Sequence, residues 1–236
     1  MVNAPVRKLD ALLFDKDGTL FDFAATWEAW TAGFLVRLAD GDRARAGALG
    51  DLIGYDLERA RLAPDSFLIA GTPEDLVDAL LPEFPDLSRR DLFKRINDEA
   101  ASVRMVEAVS LAPLLDRLIG HGLHLGIATN DAEGPTLVHL DTVGVRDRFS
   151  FVAGSDSGFG AKPEPGQLRA FCNAIGVPPV RSVMVGDSTH DLVAGRAAGM
   201  ATVAVLTGMA GTDDLAPYAD VVLPDIGHLP EWLGLS

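Results

Sequence analysis

The chain has 236 residues, is 48% hydrophobic and 23% charged, and carries a formal net charge of −14. That describes a globular protein with room for one core and a smaller satellite, and it excludes a disordered or fibrous chain. The acidity argues against nonspecific binding to nucleic acid or an anionic membrane, and a single cysteine, Cys172, excludes an intramolecular disulfide or a cysteine-built metal cluster.

The segment Met1–Asp10 has no apolar stretch of the kind a signal peptide needs, so none is expected. The first strand is predicted at 11–14, a short continuous apolar run stopped by Asp15. Such runs suit strands buried on both faces, as in a parallel sheet. They recur at 123–128, 149–153, 182–185, 201–206 and 220–223. Between 21 and 105 the rhythm breaks. Helical patterns are predicted over 26–38, 44–61, 73–81 and 88–106, with Thr72 as an N-cap before Pro73. After that segment, helices are predicted over 113–119, 167–175 and 191–198, the last two closed by Gly176 and Gly199. Strand alternating with helix implies an α/β, doubly wound, mostly parallel sheet. The expected organisation is a Rossmann-like core from 1–20 and 106–236, with an all-helical cap inserted at 21–105. The longest uncharged apolar run, Gly199–Gly211, is too short to span a bilayer. A cytoplasmic protein is expected.

Four segments downstream of predicted strands carry the residues that suit chemistry, the lysine loop less tightly than the others. In an open α/β sheet, the C-terminal ends of the strands face the ligand crevice. The first end reads Asp15-Lys16-Asp17-Gly18-Thr19. Carboxylates two residues apart repel, and a divalent cation or a shared proton is needed to hold them together. The bland alternative is an Asp-Gly surface turn. The second end, Thr129-Asn130, offers a hydroxyl and an amide that can bond phosphate oxygens; on its own it is more often a cap or turn. The third places Lys162 in a Gly/Pro-framed loop, Gly160 to Pro165, where a cation can neutralise a phosphate. The fourth holds Asp187 and Asp191, hard oxygen donors of the kind Mg²⁺ takes. Helix capping is the other reading of Asp191.

These motifs, in this order, resemble the haloacid dehalogenase superfamily, and the inserted helices resemble the small cap of its phosphoglycolate phosphatase-like branch. The resemblance implies a Mg²⁺-dependent phosphatase that hydrolyses a small phosphorylated metabolite through an aspartyl-phosphate. Asp15 would be the nucleophile and Asp17 the general acid/base. Thr129 and Asn130 would bind phosphate, and Lys162 would hold nucleophile and phosphate in place. Asp187 and Asp191 would bind the metal with Asp15 and the main-chain carbonyl of Asp17. True dehalogenases lack the second aspartate, so its presence favours phosphate chemistry. A phosphomutase of the same fold and a noncatalytic binding module remain the alternatives. Trp27, Trp30 and Phe34 sit at helical spacing and are read as cap core rather than as substrate contacts. The five histidines show no metal-ligand spacing. Arg37, Arg59, Arg61 and Arg104 are candidates for reading a substrate carboxylate, and nothing in the sequence singles one out.

Overall fold

The computed structural model describes residues 8–63 and 66–235; residues 1–7, on which the signal-peptide expectation partly rests, lie outside them. In chain order the strands are β1 (Ala11–Phe14), β2 (Tyr55–Asp56), β3 (Arg61–Leu62), β4 (His124–Ala128), β5 (Phe151–Ala153), β6 (Ser182–Gly186), β7 (Ala201–Val205) and β8 (Val221–Leu223). Six of them form one parallel sheet in the order β5-β4-β1-β6-β7-β8. The chain starts in the middle of this sheet and winds outward in both directions. That creates a switch point at β1, where loops diverge and leave a crevice.

Period-two alternation splits the strand residues between the two faces. Leu12, Phe14, Ile127 and Val185 belong to the larger cluster, packed with Leu111, Leu115 and Leu118 of α5 (Leu111–Gly120). Ala11, Leu13 and Met184 face the opposite way, onto Leu168 and Phe171 of α7 (Gly166–Ile175) and Ala194 of α8 (Thr189–Ala198). Both faces are therefore covered, which is why these strands read as unbroken apolar runs.

The segment that interrupts the alternation has its own hydrophobic cluster. It is built by α1 (Phe23–Leu38), α2 (Arg43–Leu52), α3 (Pro73–Leu80) and α4 (Arg89–Ala101), with Phe34, Leu35, Leu49, Val77, Leu80 and Leu92 almost wholly buried. It is helical apart from a two-residue antiparallel ladder of β2 with β3. The helix predicted over 44–61 stops at Leu52 instead, because Gly54 turns the chain with φ 71° and the ladder follows. Thr72 does cap α3, in a reciprocal box with Asp75. The longest helix the sequence reading does not predict is α6 (Glu133–Thr142), whose buried face is Pro135, Thr136, His139 and Leu140; two four-residue helices, Thr212–Leu215 and Leu229–Trp232, are also unpredicted. Among the described residues, no helix is long and apolar enough to cross a membrane.

Candidate active site

Parallel register brings the strand ends together. Phe14 pairs with Ile127 on one side and Val185 on the other, so Asp15, Thr129 and Asp187 all emerge at the same edge of the sheet. The Asp15 N–H donates to the Val185 carbonyl at 2.9 Å and fixes its backbone to β6. Lys162 arrives from the loop before α7. Its ammonium lies 2.7 Å from Asp15 Oδ1 and 2.6 Å from Asp191 Oδ1, with almost no exposed surface.

Asp15, Asp187 and Asp191 each offer an oxygen to a cluster in which these atoms lie within 4.8 Å of one another. Burial pushes the Asp15 carboxyl up to about 7, against the pull of Lys162 and with Asp191 adding to the rise. Burial, then the neighbouring Asp15 and Asp191, hold Asp187 well above the usual carboxylate range. Burial alone would lower Lys162, but Asp15 and Asp191 outweigh it and leave the ammonium above the ordinary lysine value. Three carboxylates against one ammonium leave an uncompensated negative charge, and hard carboxylate oxygens suit a divalent cation. The donor set therefore fits a metal of the Mg²⁺ type. Close walls define the place: a Cβ on Gly208 would come 1.7 Å from Asp187 Oδ2, and one on Gly18 would come 2.2 Å from the same oxygen.

The neighbouring side chains are committed to definite tasks. Asp191 uses its second oxygen to accept from the Ser188 N–H and hydroxyl, closing the N-terminal capping box of α8. It thus serves both as cap and as the lysine's second anchor. Asn130, expected to bind phosphate, lines the cleft; its Oδ1 accepts from the Lys162 N–H at 2.8 Å, and its Nδ2 donates to the carbonyls of Lys162 and Ala70. It clamps the lysine loop and touches the helical segment. Thr129 Oγ1 accepts from the Asp131 N–H, so its own hydrogen points away from that amide.

Asp17 sits in a second network that the sequence did not announce. Its Oδ2 lies 2.6 Å from the Lys16 ammonium, and its Oδ1 accepts from the Trp27 indole at 2.8 Å. Lys16 is wholly buried and also contacts Asp131 and His139 Nδ1. Burial disfavours its charge, but Asp17 and Asp131 outweigh that and raise its pKa. Trp27, read as cap core, is also a ligand of Asp17. The one available signal was position: Lys16 stands two residues past the buried strand β1, in step with Leu12 and Phe14, and a buried lysine needs partners.

Above these groups lies a cleft of about 120 Å³, floored by Asp15, Asp17, Thr129 and Lys162 and walled by α1, α3, α4 and the turn at Phe67–Ile69. Arg37, Arg59, Arg61 and Arg104 do not line it.

Residues 12–205 match the family model described as haloacid dehalogenase-like hydrolase. The chain is 36% identical over 121 residues to a phosphoglycolate phosphatase from Rhodospirillum rubrum, about half of each protein (51% and 50%). It is 31% identical over 215 residues to a phosphoglycolate phosphatase from Xanthomonas campestris pv. campestris strain 8004, covering 90% of this chain and 91% of that protein. Among solved structures, CbbY from Rhodobacter sphaeroides in complex with phosphate superposes with a TM-score of 0.72 at 20% identity, covering 96% of this chain and all of that one (100%).

Proposed function

The chain belongs to the haloacid dehalogenase-like hydrolase family and is a phosphatase; from that premise we propose that it hydrolyses a small phosphate monoester, in the cytoplasm, through a covalent phosphoryl group on Asp15. The observation that carries this reading is the buried Lys162 ammonium between Asp15 and Asp191, with Asp187 in the same cluster, at the foot of a cleft.

In this reading the Asp15 carboxylate attacks phosphorus and the P–O bond to the alcohol breaks. Asp17 gives its proton to the departing alkoxide, then accepts one from the water that attacks the aspartyl-phosphate. Lys16 and Trp27 fix the orientation of Asp17 for both steps. Lys162 opposes the charge on the phosphoryl oxygens, and the Thr129 hydroxyl donates to one of them. Asp15, Asp187 and the main-chain carbonyl of Asp17 would hold Mg²⁺, which would offset phosphoryl charge when bound. Asp191 serves chiefly to anchor the lysine. Residues 21–105 act as the cap that limits water during the first transfer.

The test is phosphate release from a panel of small esters, with Mg²⁺ or with EDTA. Release should need the metal and should vanish in Asp15→Asn. Metal-independent release, or an Asp15→Asn enzyme that keeps its rate, would contradict the reading.

A further inference from the structure

The cleft has a charged floor and an apolar roof. Trp27, Trp30, Leu68, Ile69, Leu76 and Ile96 supply most of the roof, and all come from the segment between 21 and 105. No lysine or arginine of that segment lines the cleft among the described residues. The arginines that could have done so are occupied or turned elsewhere. Arg37 forms a forked pair with Glu99, and Arg59 pairs with Asp56. Arg61 is exposed on the short ladder, and Arg104 borders a different surface depression.

The polar atoms of the roof are committed as well. The Trp27 indole donates to Asp17 and the Trp30 indole to the Glu99 carbonyl. The Thr31 hydroxyl donates to the Trp27 carbonyl, and the Thr72 hydroxyl to Asp75. On the floor, Lys162 is held between two carboxylates, and the Asn130 amide is used by backbone carbonyls. His190 reaches the cleft from the first turn of α8, which belongs to the sheet domain.

A second anion on the substrate would therefore meet hydrocarbon and indole on the roof, with the His190 imidazole of the sheet side the one cleft group outside the phosphate floor, among the described residues, that can turn cationic. Burying a carboxylate without a partner is heavily disfavoured, and a chain with net charge −14 offers no general field to offset that. Resting on the phosphatase reading above, we propose that the cleft selects a phosphate monoester whose leaving group is uncharged and apolar, an aryl or branched-alkyl alcohol, over one whose leaving group carries a carboxylate. The phosphoglycolate of the relatives' names has such a carboxylate, which makes it the discriminating ester.

The experiment compares kcat/KM for phenyl phosphate and isobutyl phosphate with that for phosphoglycolate, at saturating Mg²⁺, in the wild type and in Ile69→Arg. Apolar contacts discriminate by about 10- to 200-fold per well-filled group, so the wild type should prefer the apolar esters by about tenfold or more. Ile69→Arg plants a guanidinium on the roof and should move that ratio toward phosphoglycolate by about tenfold. A wild type that prefers phosphoglycolate would overturn the proposal while leaving the phosphatase reading intact. A ratio unmoved by Ile69→Arg would show that the roof does not touch the leaving group, and would overturn it too. Failure of the phosphatase reading would look different: no ester, charged or apolar, would yield Mg²⁺-dependent phosphate, and the proposal would fall with it.

Discussion

Lys16 follows the nucleophile directly, has no exposed surface, and holds Asp17, Asp131 and His139 around its ammonium. A buried cation persists only when paired and bonded, and removing one partner of such a group costs about 3–5 kcal/mol because the other charges are left uncompensated. Lys16→Met should therefore lower the unfolding free energy by about that much in urea titration. It should also reduce kcat more than it changes KM, since Asp17 loses the group that orients it. A variant with wild-type stability and kcat would mean that the pair contributes little. Trp27 belongs to the same network, and its indole bond to Asp17 is invisible to helical periodicity, which reports only that the residue faces inward.

At the level of elements, the sheet was the most legible part. Each of its six strands lies within two residues of the predicted run, because a strand covered on both faces must be apolar throughout. The motif residues Asp15, Thr129 and Asp187 were legible for the related reason that parallel register gathers strand ends, whereas Lys162 was legible from its Gly/Pro-framed loop. What the sequence hid were contacts between elements. Helix α6 escaped notice because its buried face includes Thr136 and His139, which dilute the apolar stripe. The task of Asn130 was equally hidden, since nothing local indicates that its amide lies against the Lys162 backbone from a loop 32 positions away. Asn130→Ala removes those bonds, each contributing about 1 kcal/mol. The expected outcome is a loss of about 3 kcal/mol in denaturant unfolding and a fall in kcat of about ten- to a hundredfold as the lysine loses its register. An unchanged kcat would show that Lys162 needs no such clamp.

At the scale of the whole molecule, the helical segment and the sheet domain meet at His139. Its Nε2 lies 2.9 Å from the Ala100 carbonyl of α4, and its Nδ1 lies 3.2 Å from the Lys16 ammonium. Only a neutral ring can donate to the carbonyl and accept from the ammonium at once. Burial, followed by Lys16, lowers the pKa below the ordinary 6.5, with Asp17 and Asp131 opposing. A folded-state pKa below the unfolded value means that the unfolded chain binds the proton first. This contribution is therefore complete above about pH 6.5 and is lost as the pH falls through the folded value. His139→Gln should flatten the acid side of the stability curve, measured by urea unfolding at a series of pH values; an acid limb identical to wild type would assign that loss to other groups. The central claim, that the phosphoryl group passes through Asp15, is tested most directly by trapping it. The Asp17→Asn enzyme, turning over p-nitrophenyl phosphate with Mg²⁺, would be quenched in acid and its peptides weighed by mass spectrometry. The account predicts a phosphoryl group on the peptide carrying Asp15, absent when Asp15 is also replaced by Asn. An unmodified Asp15 peptide alongside continued release of phosphate would mean that water attacks the ester directly, and would contradict it.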